Sequence, residues 1–307
     1  MTTGIAIRGP GAGRAALRVL QALEMLGRGE IGGFAVFRAA DGPQGALLSA
    51  VTQRGGSQGL PLPGSWADAD LAAIISSGPD RPEPLEQFLP ASPLGMVTGH
   101  RLPSSPTAAG EPLNTAVFRQ MQTGGLDQAG LQAALDAEPG LDAGLIVLPR
   151  EGRVLLAHAP RVAARPDCGS FLWQSGGLAV TVVLNSIAAQ GLTADALAGA
   201  VGLIGLEALG VARAGYGFGI LPERICVHPA GEERIDLDRD GLVRAVYSAD
   251  PAFQRARPGL TAIYCGTPVW QNGRPAGRVI SEVWADAEAG WLKAPAARQF
   301  LWQRSEE

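Results

Sequence analysis

The order of elements in residues 1–52 constrains this fold more than any other feature of the chain. Residues 3–8 form a short apolar run, and Gly9, Pro10, Gly11 and Gly13 make a turn. Arg14 to Leu26 then places Leu17, Val19, Leu20, Leu23 and Leu26 at three-to-four spacing, ending at Gly27. That spacing predicts an amphipathic helix. Gly33–Phe37 and Ala46–Thr52 flank the turn residues Asp41, Gly42 and Pro43, which predicts a β-hairpin. Strand, helix, hairpin is not the order of a doubly wound parallel sheet, which needs a second crossover helix where this chain turns tightly. The expected class is therefore α/β with mostly antiparallel sheets, arranged as a four-layer αββα sandwich.

Residues 57–112 are rich in Pro, Gly and Ser. They read as a long loop or lid with one short helix over Asp68–Ser76. Leu113–Leu135 reads as helical with a break at Gly124 and Gly125. Gly144–Leu148, Val154–His158 and Leu178–Leu184 read as strands, Thr193–Leu209 as a helix, and Arg234–Val246 as a hairpin. Leu260–Cys265 and Arg278–Trp284 are late strands. All 307 residues are read as a single domain.

Composition narrows the function. Charged residues make up 18% and apolar residues 46%, which excludes wholesale disorder. The net charge of −4 draws the chain neither to nucleic acid nor to an anionic membrane. The three cysteines lack a C-x-x-C pair and the three histidines lie far apart, so no metal and no cofactor is expected. The start shows no secretory signal, and the most apolar stretch, residues 196–212, carries Glu207. A cytoplasmic protein acting on a small molecule is expected. Six tryptophans leave room for a homo-oligomer interface. The one lysine, Lys293, makes Schiff-base chemistry a poor fit.

Several motifs carry chemistry. Gly9-x-Gly11-x-Gly13 between strand and helix is suited to an anion, or alternatively to close packing of the helix. Asp236-x-Asp238-x-Asp240-Gly241 opens like a calcium loop, but its twelfth position is Tyr247, and alternation favours a hairpin. Removal of Met1 would leave Thr2 with a free α-amine able to act as base for its own hydroxyl. Cys168 reads either as a buried thiol or as the nucleophile released by self-cleavage after Asp167.

The segment from Leu20 through Gly27-Arg28-Gly29 to Gly33-Phe34-Ala35 resembles part of the class II glutamine amidotransferases, which are built on the N-terminal-nucleophile (Ntn) hydrolase fold. Gly99-His100-Arg101-Leu102-Pro103-Ser104-Ser105 is similar to that family's G-H-x-R-Y-S-T segment. The resemblance covers about residues 1–115 and implies a nucleophile at the N-terminus. It also implies that Arg101 binds a substrate carboxylate, with Arg28 and His100 beside it. The family has Cys directly after Met; this chain has Thr2 and Thr3, and alignment on Gly4-Ile5 places Thr3 at the nucleophile. The function expected is hydrolysis of a small, acidic amide or lactam. The alternatives are a non-enzymatic anion- or small-ligand-binding protein on the same scaffold, and a nucleotide-binding protein using Gly9–Gly13.

Overall fold

The computed structural model describes all residues except 30, 139, 190, 212–214, 306 and 307. The chain forms two compact units, Met1–Arg213 and Ala214–Glu307, where the sequence reads as one domain. The class is mixed α/β with mostly antiparallel sheets. Among the described residues no helix is long and apolar enough to cross a membrane.

The N-terminal unit contains two antiparallel sheets. Its strands are β1 (Thr2–Arg8), β2 (Ala35–Ala40), β3 (Leu47–Thr52), β4 (Leu71–Ser77), β5 (Ala91–Ser92), β6 (Gly95–Arg101), β7 (Ala143–Pro149), β8 (Leu155–His158), β9 (Cys168–Ser175) and β10 (Leu178–Asn185). One sheet has the order β3-β2-β4-β1-β10-β9, and the other the order β5-β6-β7-β8. The expected strand, helix and hairpin at the N-terminus are all present. The helices are α1 (Ala12–Leu26), α2 (Leu113–Gln122), α3 (Gln128–Asp136) and α4 (Ala194–Ala208). The break at Gly124 and Gly125 separates α2 from α3, as the sequence predicts. Asp127 caps α3, accepting from the Gly130 amide at 2.7 Å, and Thr193 caps α4, accepting from Ala196 at 3.2 Å.

Period-two alternation sorts the strand side chains by face. Ile7 of β1 points at α1 and α4, where Gly205 lets the helix close on Val19 and Val180. Ala6, Val36, Ile75, Met96, Ile146 and Val183 fill the space between the two sheets. Val97, Leu145 and Val147 point the other way, against Leu113, Val117, Leu131 and Leu135 of α2 and α3. Each sheet is thus apolar on both faces, so its strands read as continuous hydrophobic runs.

That explains one correction. Residues 68–76 do not form a helix: Leu71–Ser77 is the strand β4, with all 7 residues buried. An unbroken apolar run carries no period to tell strand from helix. Residues 57–112 are likewise not a lid, because β4, β5 and β6 lie within them and Leu85, Phe88 and Leu89 join the inter-sheet core.

The C-terminal unit is built on one ten-stranded sheet whose edge strands are Tyr216–Leu221 and Arg257–Ile263. It closes on its own core, which includes Leu221, Phe253, Ile263, Phe300 and Trp302. The Arg234–Val246 hairpin is present. Arg278–Trp284 is not one strand: Arg274–Val279 and Val283–Glu288 are separate.

Candidate functional site

Four adjacent strands bring four polar side chains into one row. Thr2 of β1 pairs with Ser77 of β4 on one side and Asn185 of β10 on the other, and Asn185 pairs with Cys168 of β9. Residues directly opposite in an antiparallel pair share a face. This row faces the second sheet, because Gly169 points at α4 and Ala6 lies in the inter-sheet core. Thr2, Ser77 and Asn185 are buried. The Asn185 amide donates to Ser186 Oγ at 3.2 Å, while its carbonyl oxygen is buried without a partner. Such an orphan is costly in a folded interior and marks the row as a place where a ligand would be welcome.

Thr2 opens into a narrow pocket of about 20 Å³. Phe34, Ile75 and Phe88 form its apolar wall, with Phe34 and Phe88 edge to face at 5.3 Å. Arg81 and Arg101 supply its charge. Arg101 ends β6 with a left-handed backbone, φ 64°. Asp142 holds it there through a two-pronged ion pair with the guanidinium and through its carbonyl, which accepts from the Leu102 amide at 3.0 Å. Arg101 in turn holds the Asp142 carboxyl below the usual carboxylate range.

The far end of the row is built the same way. Ser186, φ 55°, donates its hydroxyl to Asp167 at 2.6 Å, and Arg165 donates twice to the same carboxylate at 2.9 and 2.7 Å. Arg165 first and Ser186 second hold Asp167 down to about 2. Burial, then the Asp167 charge, raises the Cys168 thiol, opposed by Arg101 and Arg165. Cys168 is therefore a protonated thiol beside the site at neutral pH.

His100 is fully buried and does not line the Thr2 pocket. Its Nε2 lies 3.3 Å from Nδ1 of His158, and the two rings meet over Gly144, to which both residues are paired. A Cβ on Gly144 would lie 2.2 Å from one ring nitrogen and 2.4 Å from the other. Burial, then the neighbouring His158 and Arg101, lowers His100 to about 3, so the pair is neutral. Arg28 is exposed and lies outside the pocket, bridged by its backbone to Ala188. Thr3 faces the opposite side of β1 and donates to the Val183 carbonyl at 2.9 Å. Of the predicted residues, Thr2, Cys168 and Arg101 are brought to one end of the sheets, while Thr3, Arg28 and His100 stand apart. Arg81, Ser77, Asn185 and Asp142 were missed by the sequence reading. No local motif marks them, since strand register alone assembles the row.

The Gly9–Gly13 turn joins β1 to α1 and packs tightly. A Cβ on Gly13 would lie 1.8 Å from the Trp66 carbonyl oxygen. Asp238 closes its hairpin turn by accepting from the Asp240 and Leu242 amides, both at 2.9 Å. A larger cleft, lined by Leu126, Val154 and Leu172, lies at the opposite end of the strands from Thr2. Among the described residues no three His, Cys, Asp or Glu side chains converge into a metal-holding group.

No curated protein and no solved structure matches the chain. Residues 224–299 match the family described as Domain of unknown function (DUF7259). Residues 2–216, the span that holds the whole Thr2 row and its pocket, match the family described as Domain of unknown function (DUF6963), and the chain belongs to that family.

Proposed function

We propose that the N-terminal unit is an Ntn-type amide hydrolase, a four-layer αββα sandwich whose nucleophile is Thr2. The observation that carries this reading is the placement of Thr2. It is the first residue of a central strand, buried, and opens into a pocket with two arginines and an apolar wall. With Met1 removed, the Thr2 α-amine, of ordinary pKa about 7.7–8.0, takes the proton from Oγ1. Oγ1 then adds to the carbonyl carbon of the substrate. The oxyanion that forms needs donors already in place, and Asn185, across from Thr2, presents a side-chain amide in register. Collapse expels the amine, which takes the proton from the Thr2 ammonium. Water then hydrolyses the ester in the reverse proton sense.

At about 20 Å³ the pocket is far below the roughly 300–1,000 Å³ of drug-sized sites, so it takes only a small group and the substrate is small. The arginines favour an acidic one. The test has two parts. Intact mass and N-terminal sequencing should show Thr2 as the first residue. Hydrolysis of a panel of small acidic amides and lactams should fall at least about a hundredfold in Thr2→Ala, as expected for loss of a covalent nucleophile. An unchanged rate in Thr2→Ala would overturn the reading. Retained Met1 together with ligand binding but no hydrolysis would favour a binding protein on this scaffold.

A further inference from the structure

We propose that Arg81 is the residue that reads a carboxylate in the Thr2 pocket, and that the ligand it admits is a small amide or lactam carrying one carboxylate. The assignment rests on reading that pocket as the substrate pocket. It moves the acid-binding role away from Arg101 and Arg28.

The argument starts from charge. A cation removed from water needs a counterion or a full set of acceptors. Arg101 has its counterion: the bidentate pair with Asp142 uses Nε and one terminal nitrogen, and it fixes a left-handed backbone. Arg28 is exposed and outside the pocket. Arg81 differs from both. It is partly buried, and among the described residues no carboxylate pairs with it. Burial alone lowers its guanidinium below the usual arginine value, with no acidic neighbour to raise it again.

Its position is also fixed in advance. The Gln53 side-chain amide grips the Arg81 backbone from both sides, accepting from its N–H at 3.0 Å and donating to its carbonyl at 2.6 Å. The Arg81 Nε donates to Ser77 Oγ at 3.2 Å, and Ser77 is the cross-strand partner of Thr2. One hydrogen bond and one strand spacing therefore separate the guanidinium from the proposed nucleophile. Arg81 lines the pocket, and with Nε engaged its two terminal nitrogens are the fork that matches the two oxygens of a carboxylate. The aromatic lining, Phe34 and Phe88, suits a few methylene groups and rejects a second charge. A ligand bound this way has its acid at Arg81, its carbon frame on the two rings and its amide carbonyl towards Thr2.

The probes are pyroglutamate and 2-pyrrolidinone, the same lactam with and without the carboxylate, titrated calorimetrically against the full-length protein. The wild type should bind pyroglutamate at least about tenfold more tightly. Arg81→Gln should bring pyroglutamate down to the level of 2-pyrrolidinone, with the melting temperature unchanged. Arg81→Lys, which keeps the charge and loses the fork, should keep part of the preference. The proposal is overturned if the wild type shows no preference for the acid, or if Arg81→Gln retains it. Thr2→Ala separates this assignment from the catalytic reading. If it binds pyroglutamate like the wild type while neither protein hydrolyses any amide, the Arg81 subsite stands and the hydrolase does not. If Thr2→Ala abolishes hydrolysis but Arg81→Gln keeps the preference, the hydrolase stands and the Arg81 assignment falls.

Discussion

The two units use left-handed backbone in opposite ways. In the C-terminal unit the non-glycine residues with positive φ are Asn272 and Ala289, each followed by a positive-φ glycine in a tight hairpin turn. There the strain belongs to the connection and is local. In the N-terminal unit they are Arg101 and Ser186, at the ends of β6 and β10, and each is gripped by a carboxylate, Asp142 or Asp167. Here the strain aims side chains at the Thr2 row, and the fold supplies dedicated partners to hold it. Unusual backbone held by tertiary contacts, rather than by a turn, is the pattern expected where a site is being shaped.

Acidification should break the comparison most sharply. His100 sits neutral inside the N-terminal unit, while His228 of the C-terminal unit is exposed. The unfolded chain takes a proton at His100 near 6.5, whereas the folded unit resists it down to about 3. Between those values the unfolded state binds more protons, so stability falls as the pH falls. Carboxylates held low in the fold, Asp142 and Asp167, add to this slope from about pH 5 downwards. Hydrogen exchange at about pH 5 against about pH 7 should show protection lost in the N-terminal unit before the C-terminal one, and His100→Gln should flatten that difference. Equal loss in both units would refute it.

Asp142→Ala comes next. It strips a mostly buried guanidinium of its counterion and frees the strained residue it holds, at a cost of about 3 kcal/mol in urea unfolding. A cost near zero would mean that Arg101 needs no anchor. Gly144→Ala should cost about 2 kcal/mol by driving a methyl group between the His100 and His158 rings. The smallest effect is expected at Ala289→Gly, where relief of turn strain should stabilise the protein by about 0.5–1 kcal/mol. A loss there would place Ala289 in the same class as Arg101.

Much of the frame was legible because it is local. The Leu17–Leu26 stripe, the Asp41–Pro43 turn, the break at Gly124 and the Thr193–Leu209 helix each signal within a short stretch of chain. Leu71–Ser77 was misread because burial on both faces erases the alternation that marks a strand. The candidate site was half legible. Thr2, Cys168 and Arg101 carry chemistry visible in their residue types. Ser77, Asn185 and Arg81 are ordinary residues until the register sets them beside Thr2. His100 stands next to Arg101 in the chain, yet it turns into the interior towards His158 and leaves the pocket to its neighbour.

The register of the Thr2 row also bears on how such a protein can change through descent. Its members come from positions 2, 77, 168 and 185, and each presents its side chain only by the parity of its place along a strand. A one-codon deletion within β9 would hand the place of Cys168 to a neighbour from the other face and turn the thiol towards α4. Point substitutions can tune this row, but length changes in β1, β4, β9 or β10 would scramble it at once. Lineages that keep the row should therefore gather their insertions in the connections and leave those four strands constant in length.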